Sequence, residues 1–170
     1  MIKSMRSCRL GAVSFSALAV LCVQGSVLAE EPSCKAVLAA QRHQINVPYH
    51  GYSTMTLIPG QPKPSEEIYT GKAQYILQDG KWTVTPITSA MMGEQLEDNI
   101  KSGKMACHAL RDEAVDGVSA TLYSVHEEVD GVVADFQIWI SKSTGLPVLL
   151  KMAAIESHYT YTDVVVPSVR

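Results

Sequence analysis

The sequence predicts an α+β fold: a curved antiparallel sheet of about seven strands, an incomplete barrel, covered by two helices. Three observations predict it. Extended runs of alternating apolar and polar residues fill most of the chain. The runs of the second half are joined by very short connections, Asp130-Gly131 and Ser143-Thr144-Gly145, which suit antiparallel neighbours and exclude a crossover. Two segments alone change to a helical period, and a sheet with one apolar face needs them as its cover.

The first 29 residues have the plan of a cleaved secretory signal. Lys3, Arg6 and Arg9 start it, an apolar run follows from Leu10 to Val23, and Val27 and Ala29 are small residues placed for cleavage after Ala29. Leu21 stands before Cys22 where lipoprotein processing wants a small residue, so lipidation is not the expectation. The domain organisation read from this is a signal at 1–29 and one α+β domain at 30–170, located in the periplasm or secreted. No later run is long enough for a transmembrane segment in the mature chain.

The leader holds three of the 14 basic residues and none of the 17 acidic ones, leaving 11 against 17 and a formal charge of −6. That sign argues against nucleic acid as a partner, because phosphate binding requires the opposite one. Cys8 and Cys22 leave with the signal, and Cys34 and Cys107 remain as a natural disulfide pair in an oxidising compartment. Such a bridge closes a loop of about 70 residues, worth roughly 4 kcal/mol in the chain-entropy reading.

Element by element, the chain starts with a helix from Ser33, a capping residue, to Ile45, with Val37, Leu38 and Ile45 available to face inward, stopped by Pro48. HGYSTMTLI, residues 50–58, alternates as a strand. PGQPKPS, residues 59–65, has three prolines and reads as an exposed loop. EEIYTGKAQYILQ, residues 66–78, reads as one extended segment with Gly71 as a bulge or a point of close approach, turned through QDGKW into KWTVTPI, residues 81–87.

Residues 88–104 then change period. Met92, Leu96 and Ile100 repeat every four residues, Thr88 or Ser89 caps the start, and Gly103 suits a left-handed position after the end. Four strands follow at 118–129, 132–141, 146–157 and 158–166, and VDGV at 115–118 and 129–132 marks two tight turns.

The apolar strand faces supply the binding candidates. Phe136, Ile138 and Ile140 share the even face of VVADFQIWIS, and Val148 and Leu150 continue that pattern in the next strand. With Met92 and Leu96 of the second helix they are the candidate lining of an apolar cavity, the alternative being a closed core. Methionine suits a surface that repacks around its ligand.

No metal site is expected. The five histidines are scattered, and MACH at 105–108 suits copper only if Cys107 is free, which the disulfide reading opposes. There is no GxSxG elbow, no glycine-rich phosphate loop and no carboxylate pair on one face, so neither an enzyme nor a cofactor is expected.

WISKSTGLPVLLKM, residues 139–152, followed by HYTYTDVVVP, residues 158–167, resembles the C-terminal hairpin and last strand of periplasmic lipoprotein-carrier proteins of the Lol type and their wider superfamily. The first helix, GKAQYILQDGKW and the second helix look like that family's half-barrel with a helical lid. The resemblance implies a hydrophobic cavity between sheet and helices that accepts acyl chains. The pair Cys34 and Cys107 is not part of the family pattern, and no individual family residue is carried over.

Two functions follow as expectations. The first is a periplasmic carrier-like protein with a lipid or acyl ligand. The second is a small module with a closed core that binds a protein partner in the periplasm, as an inhibitor or immunity factor does.

Overall fold

The structure is a computed structural model describing residues 32–168. The leader, its cleavage site and Cys22 lie outside the described residues. The chain runs α1 (Pro32–Ile45), β1 (Tyr49–Met55), β2 (Lys63–Tyr69), β3 (Gln74–Gln78), β4 (Lys81–Thr85), α2 (Ser89–Ser102), β5 (Lys104–Val115), β6 (Val118–Val129), β7 (Val132–Ser141), β8 (Pro147–Met152) and β9 (Ile155–Thr160). All nine strands form one antiparallel, curved sheet in the order β4-β3-β2-β1-β9-β8-β7-β6-β5. β4 and β5 are its free edges, so the barrel stays open.

Tight turns carry the meander. Asp79-Gly80, Asp116-Gly117 and Asp130-Gly131 all have positive φ at both residues, with φ near 50° at each aspartate. That backbone matches the right-handed twist of the strands that it joins, and Asp-Gly adopts it at low cost.

The sheet has nine strands where about seven were expected, for two local reasons, and one boundary also moves. Residues 66–78 are two strands, because Thr70–Ala73 make a turn closed by the bond from Thr70 N–H to the Ala73 carbonyl at 3.0 Å, with Gly71 at φ 81°. Gly71 is therefore a turn residue, not a bulge. β5 was hidden because it is an edge strand whose alternation breaks at Leu110, skipped in the register between Ala109 and Arg111. The last two runs meet earlier than expected, at Ala153-Ala154, and residues 161–168 lie outside the sheet.

The proline-rich segment is also corrected. Lys63, Pro64 and Ser65 belong to β2, Pro64 standing opposite Thr54 of β1. Pairing of β2 with β3 begins only at Glu66, so Pro64 lies where no third strand asks for its N–H.

α1 packs on the inner face of the sheet. Cys34, Val37 and Ala40 meet Cys107, Val125, Phe136, Ile138 and Ile140, all buried. The Cys34–Cys107 disulfide lies within this core, with Cα atoms 5.0 Å apart, so the thiol that MACH would have offered to copper is committed. A second, smaller cluster on the outer face joins Ala120, Leu122, Trp139 and Leu149.

An aromatic knot fixes the other ends of the helices. Tyr69, fully buried, donates its hydroxyl to the Ile45 carbonyl at 3.1 Å and meets Ser89 Oγ at 3.0 Å, so one side chain holds the end of α1 and the start of α2. Tyr49 packs between Tyr69 and Tyr159, with ring centroids at 5.4 and 5.6 Å, and donates its hydroxyl to the Glu67 carboxylate. Burial, and then the Glu67 charge, push the Tyr49 phenol far above its ordinary range. The same two causes, in that order, raise Tyr159 to about 12.

Candidate functional site

α2 is the element whose packing is incomplete. Thr88 caps it by accepting the Met91 N–H, and Ser89 N–H donates to the Gly71 carbonyl at 3.1 Å. At midlength Arg42 of α1 and Glu97 form an exposed ion pair at 2.8 Å, each stabilising the charged form of the other. Yet none of its residues is buried: Met92, Leu96 and Ile100 are half-covered and Met91 is exposed. The stripe predicted from sequence exists but is only half-covered, and polar contacts fasten the helix at its start and at midlength.

The end of α2 is set by close approach. Gly103 has φ −98° and is extended, not left-handed as expected. A Cβ there would stand 2.7 Å from the Asn99 carbonyl oxygen, 2.9 Å from that of Glu128 and 2.9 Å from Val129 Cγ2. Glycine is needed because the backbone must pass against the end of β6, and that passage brings α2 back onto β5.

Between these elements lies a cleft of about 250 Å³. Leu38 from α1, Ile100 from α2 and Met105 from β5 supply its apolar walls, and Gly103 its floor, with Asn99 beside them. Lys101, Lys104 and Glu127 complete the lining. Lys104 pairs with Glu128 at 3.2 Å and Lys101 with Asp98 at 3.6 Å, both exposed. Long lysine stems extend the apolar wall while their ammonium groups stay in water. Other grooves are open and more polar. One on the outer face, of about 520 Å³, includes His108, Ser124, His126 and Asp135.

The candidates read from sequence are not brought together. Phe136, Ile138 and Ile140 are buried under α1, and Leu150 packs half-buried against them, so this face touches protein where α1 covers it. Val148 is elsewhere. The register of β7 and β8 pairs Trp139 with Leu149 and Ile140 with Pro147, which leaves Val148 as the extra residue of a bulge. It therefore packs with Trp139 on the outer face. Met92 and Leu96 remain half-buried on α2.

Of the actual wall, Ile100 was on the predicted stripe, but Leu38 and Met105 were not singled out. Helical period marked Leu38 as inward-facing, and nothing in sequence said that Met105 opens an edge strand beneath α2. Among the described residues no three metal-ligating side chains converge, and no helix is long and apolar enough to cross a membrane.

No known family profile matches the chain, and no curated protein matches it. Among solved structures it is similar to LprF from Mycobacterium bovis, with TM-score 0.44 and 12% identity over 81% of this chain and 98% of that one. It is also similar to the Mycobacterium tuberculosis lipoprotein LppX, with TM-score 0.45 and 9% identity over 81% of this chain and 100% of that one. Likeness at this level says nothing of what the cleft holds.

Proposed function

We propose that this chain is an extracytoplasmic binding protein, without catalytic activity, that holds one apolar chain in the cleft between α1, α2 and β5. The observation that carries the reading is an apolar cleft beneath a helix that buries none of its own residues. A ligand inserted between Leu38, Ile100 and Met105 completes the burial that α2 lacks. The disulfide supports an oxidising compartment.

Size narrows the ligand class. A cleft of about 250 Å³ lies at the small end for ligand sites, so it suits a single acyl or alkyl tail with its head group left outside. Burying about six methylenes is worth on the order of 5 kcal/mol before the costs of association, which sets affinity in the sub-millimolar to millimolar range.

The test is an NMR titration of the mature protein with octyl glucoside below its micelle concentration and with dodecanoate. The methyl groups of Leu38, Ile100 and Met105 are expected to shift together and saturate, and Leu38→Trp, which fills the cleft, is expected to abolish saturation. Saturable shifts confined to other residues, or binding unchanged in Leu38→Trp, would sink the proposal.

A second reading, a protein-binding module, is favoured by one feature. Leu57 and Val132, 72% and 70% exposed, lie with Ile58 and Val133 at the same end of the sheet. A stoichiometric complex with one periplasmic protein, lost in Leu57→Ser with Val132→Ser, would support it over the first.

A further inference from the structure

The β5–β6 hairpin outruns the sheet beside it. Ala120 of β6 pairs with Ser141, the last residue of β7, so the hairpin end from Ala114 to Ser119 extends past β7 and overhangs, while Arg111, Asp112 and Glu113 stand level with the paired part of the sheet. Skipping Leu110 in the register bends β5 shortly before this overhang, since a bulge curves its strand and increases its twist. The hairpin end curls across the outer face, and the residues of β5 just before it are tied there. Trp139 Nε1–H donates to Glu113 Oε1 at 2.5 Å, and Lys142 Nζ donates to Asp112 Oδ2 at 2.6 Å. Its tip travels furthest: Asp116 Oδ2 stands 2.7 Å from Nδ1 of His158, on β9, three strands away from β6.

What the overhang covers is apolar. Trp139 is only 5% exposed although it points away from α1, and it packs with Leu122 and Leu149, with Val115 of the overhang against them. At the root the overhang is attached by the partly buried Trp139–Glu113 bond, the exposed Lys142–Asp112 pair and the bond from Lys142 N–H to the Ser119 carbonyl at 2.9 Å; beyond these, the Val115 packing and the tip contact hold it down.

His158 is placed between two carboxylates. Its Nδ1 faces Asp116, and its Nε2 lies 3.0 Å from Glu156 Oε1. A neutral imidazole has one N–H, so it satisfies one of these contacts and turns a lone pair on the other carboxylate; the imidazolium donates to both. The remaining charged or titratable neighbours are Lys151 of β8, which pairs with Glu156 at 3.1 Å, and Tyr52 of β1, opposite His158 in the register, whose hydroxyl meets His50 instead. Burial disfavours the charge on His158, but the hydrogen bonds to Glu156 and Asp116 outweigh it and raise the group above its ordinary range.

We propose that the hairpin overhang is a proton-fastened flap: imidazolium His158 grips Asp116 and keeps the tip closed over the Trp139 cluster, and loss of that proton frees the tip and uncovers the cluster. The inference is independent of the cleft, which lies on the other face.

The experiment uses the mature chain with Trp82→Phe, leaving Trp139 as its one tryptophan. Acrylamide quenching of its fluorescence is measured from about pH 5.5 to about pH 9, alongside an NMR titration of His158. Acrylamide is neutral, so the change in histidine charge does not itself attract or repel the quencher. The quenching constant is expected to rise severalfold, with its midpoint on the His158 titration. Asp116→Asn and His158→Gln, checked as folded by circular dichroism, are expected to quench at the high level throughout. A quenching constant that stays flat while His158 titrates, or an Asp116→Asn profile that follows the parent, would overturn the flap; if His158→Gln does not fold, Asp116→Asn carries the test.

Discussion

Replacing Gly103 by alanine is expected to destabilise the protein by about 1–3 kcal/mol, the usual range for overpacking a closed site. The added methyl would sit 2.7 and 2.9 Å from two carbonyl oxygens and 2.9 Å from a valine methyl, where ordinary contact needs about 3.4 Å or more. Two of the three obstacles are backbone and cannot rotate away. The backbone conformation itself, φ −98°, is open to alanine, so the whole cost is steric.

Ten residues earlier Gly93 provides the control. It lies inside α2 with nothing within 4 Å of an added Cβ, and Gly93→Ala is expected to stabilise by about 0.5–1 kcal/mol through helix propensity and unfolded-state entropy. Urea unfolding followed by circular dichroism reads both. With a slope near 2 kcal/mol/M, a loss of about 2 kcal/mol moves the midpoint down by about 1 M, and Gly93→Ala moves it up by about a quarter to a half of that. A Gly103→Ala midpoint equal to or above that of the parent would refute the reasoning, because it would mean that the end of α2 gives way freely and does not set the cleft.

Cys34→Ser and Cys107→Ser are each expected to lower stability by roughly 4 kcal/mol, since the bridge spans a separation of 73 residues; equal melting of parent and mutants under oxidising conditions would contradict this. The pH profile is expected to be two-sided. Glu113 is held below its ordinary value first by Arg111 and then by the Trp139 N–H, Asp112 by Lys142 and Thr121, and Glu156 by His158 and Lys151, so their contribution is complete above about 4.5 and is lost as pH falls through their lowered folded values. His158 is the reverse: its folded value is raised, so its contribution is complete below 6.5 and is lost as pH rises through the folded value. Urea midpoints across the acid and neutral range should peak between about 4.5 and 6.5, with shallow slopes because the pairs are exposed; a midpoint that keeps rising above neutrality would exclude the His158 assignment.

Where periodicity was strong and unbroken, the fold was legible. The amphipathic period of α2, the alternation of β7 and the Asp-Gly turns are local properties of the chain, and the structure has each of them where the residues place it. β5 was not legible, because an edge strand buries little of its face and a bulge at Leu110 shifts the phase of its alternation midway. The same cause misplaced Val148. Strict alternation puts it beside Leu150, and one extra residue against Trp139 turns it to the other side of the sheet.

Trp139 shows the limit most clearly. Alternation set it correctly on the face away from Phe136 and Ile138. The β5–β6 overhang covers it, an event made by residues about 20 to 30 positions earlier that no pattern around Trp139 announces.

Local chemistry is thus written along the chain: which residues alternate, where a turn can take positive φ, which cysteines can pair. These depend on neighbours within a few positions. The cleft depends on something else, the distance left between α1 and α2 once Tyr69 has fastened one end and Gly103 has passed against β6 at the other. That spacing is set by contacts between segments 20 or more residues apart. So Leu38, Ile100 and Met105 became one wall through packing, while the greasy strand Phe136, Ile138 and Ile140 was closed by α1.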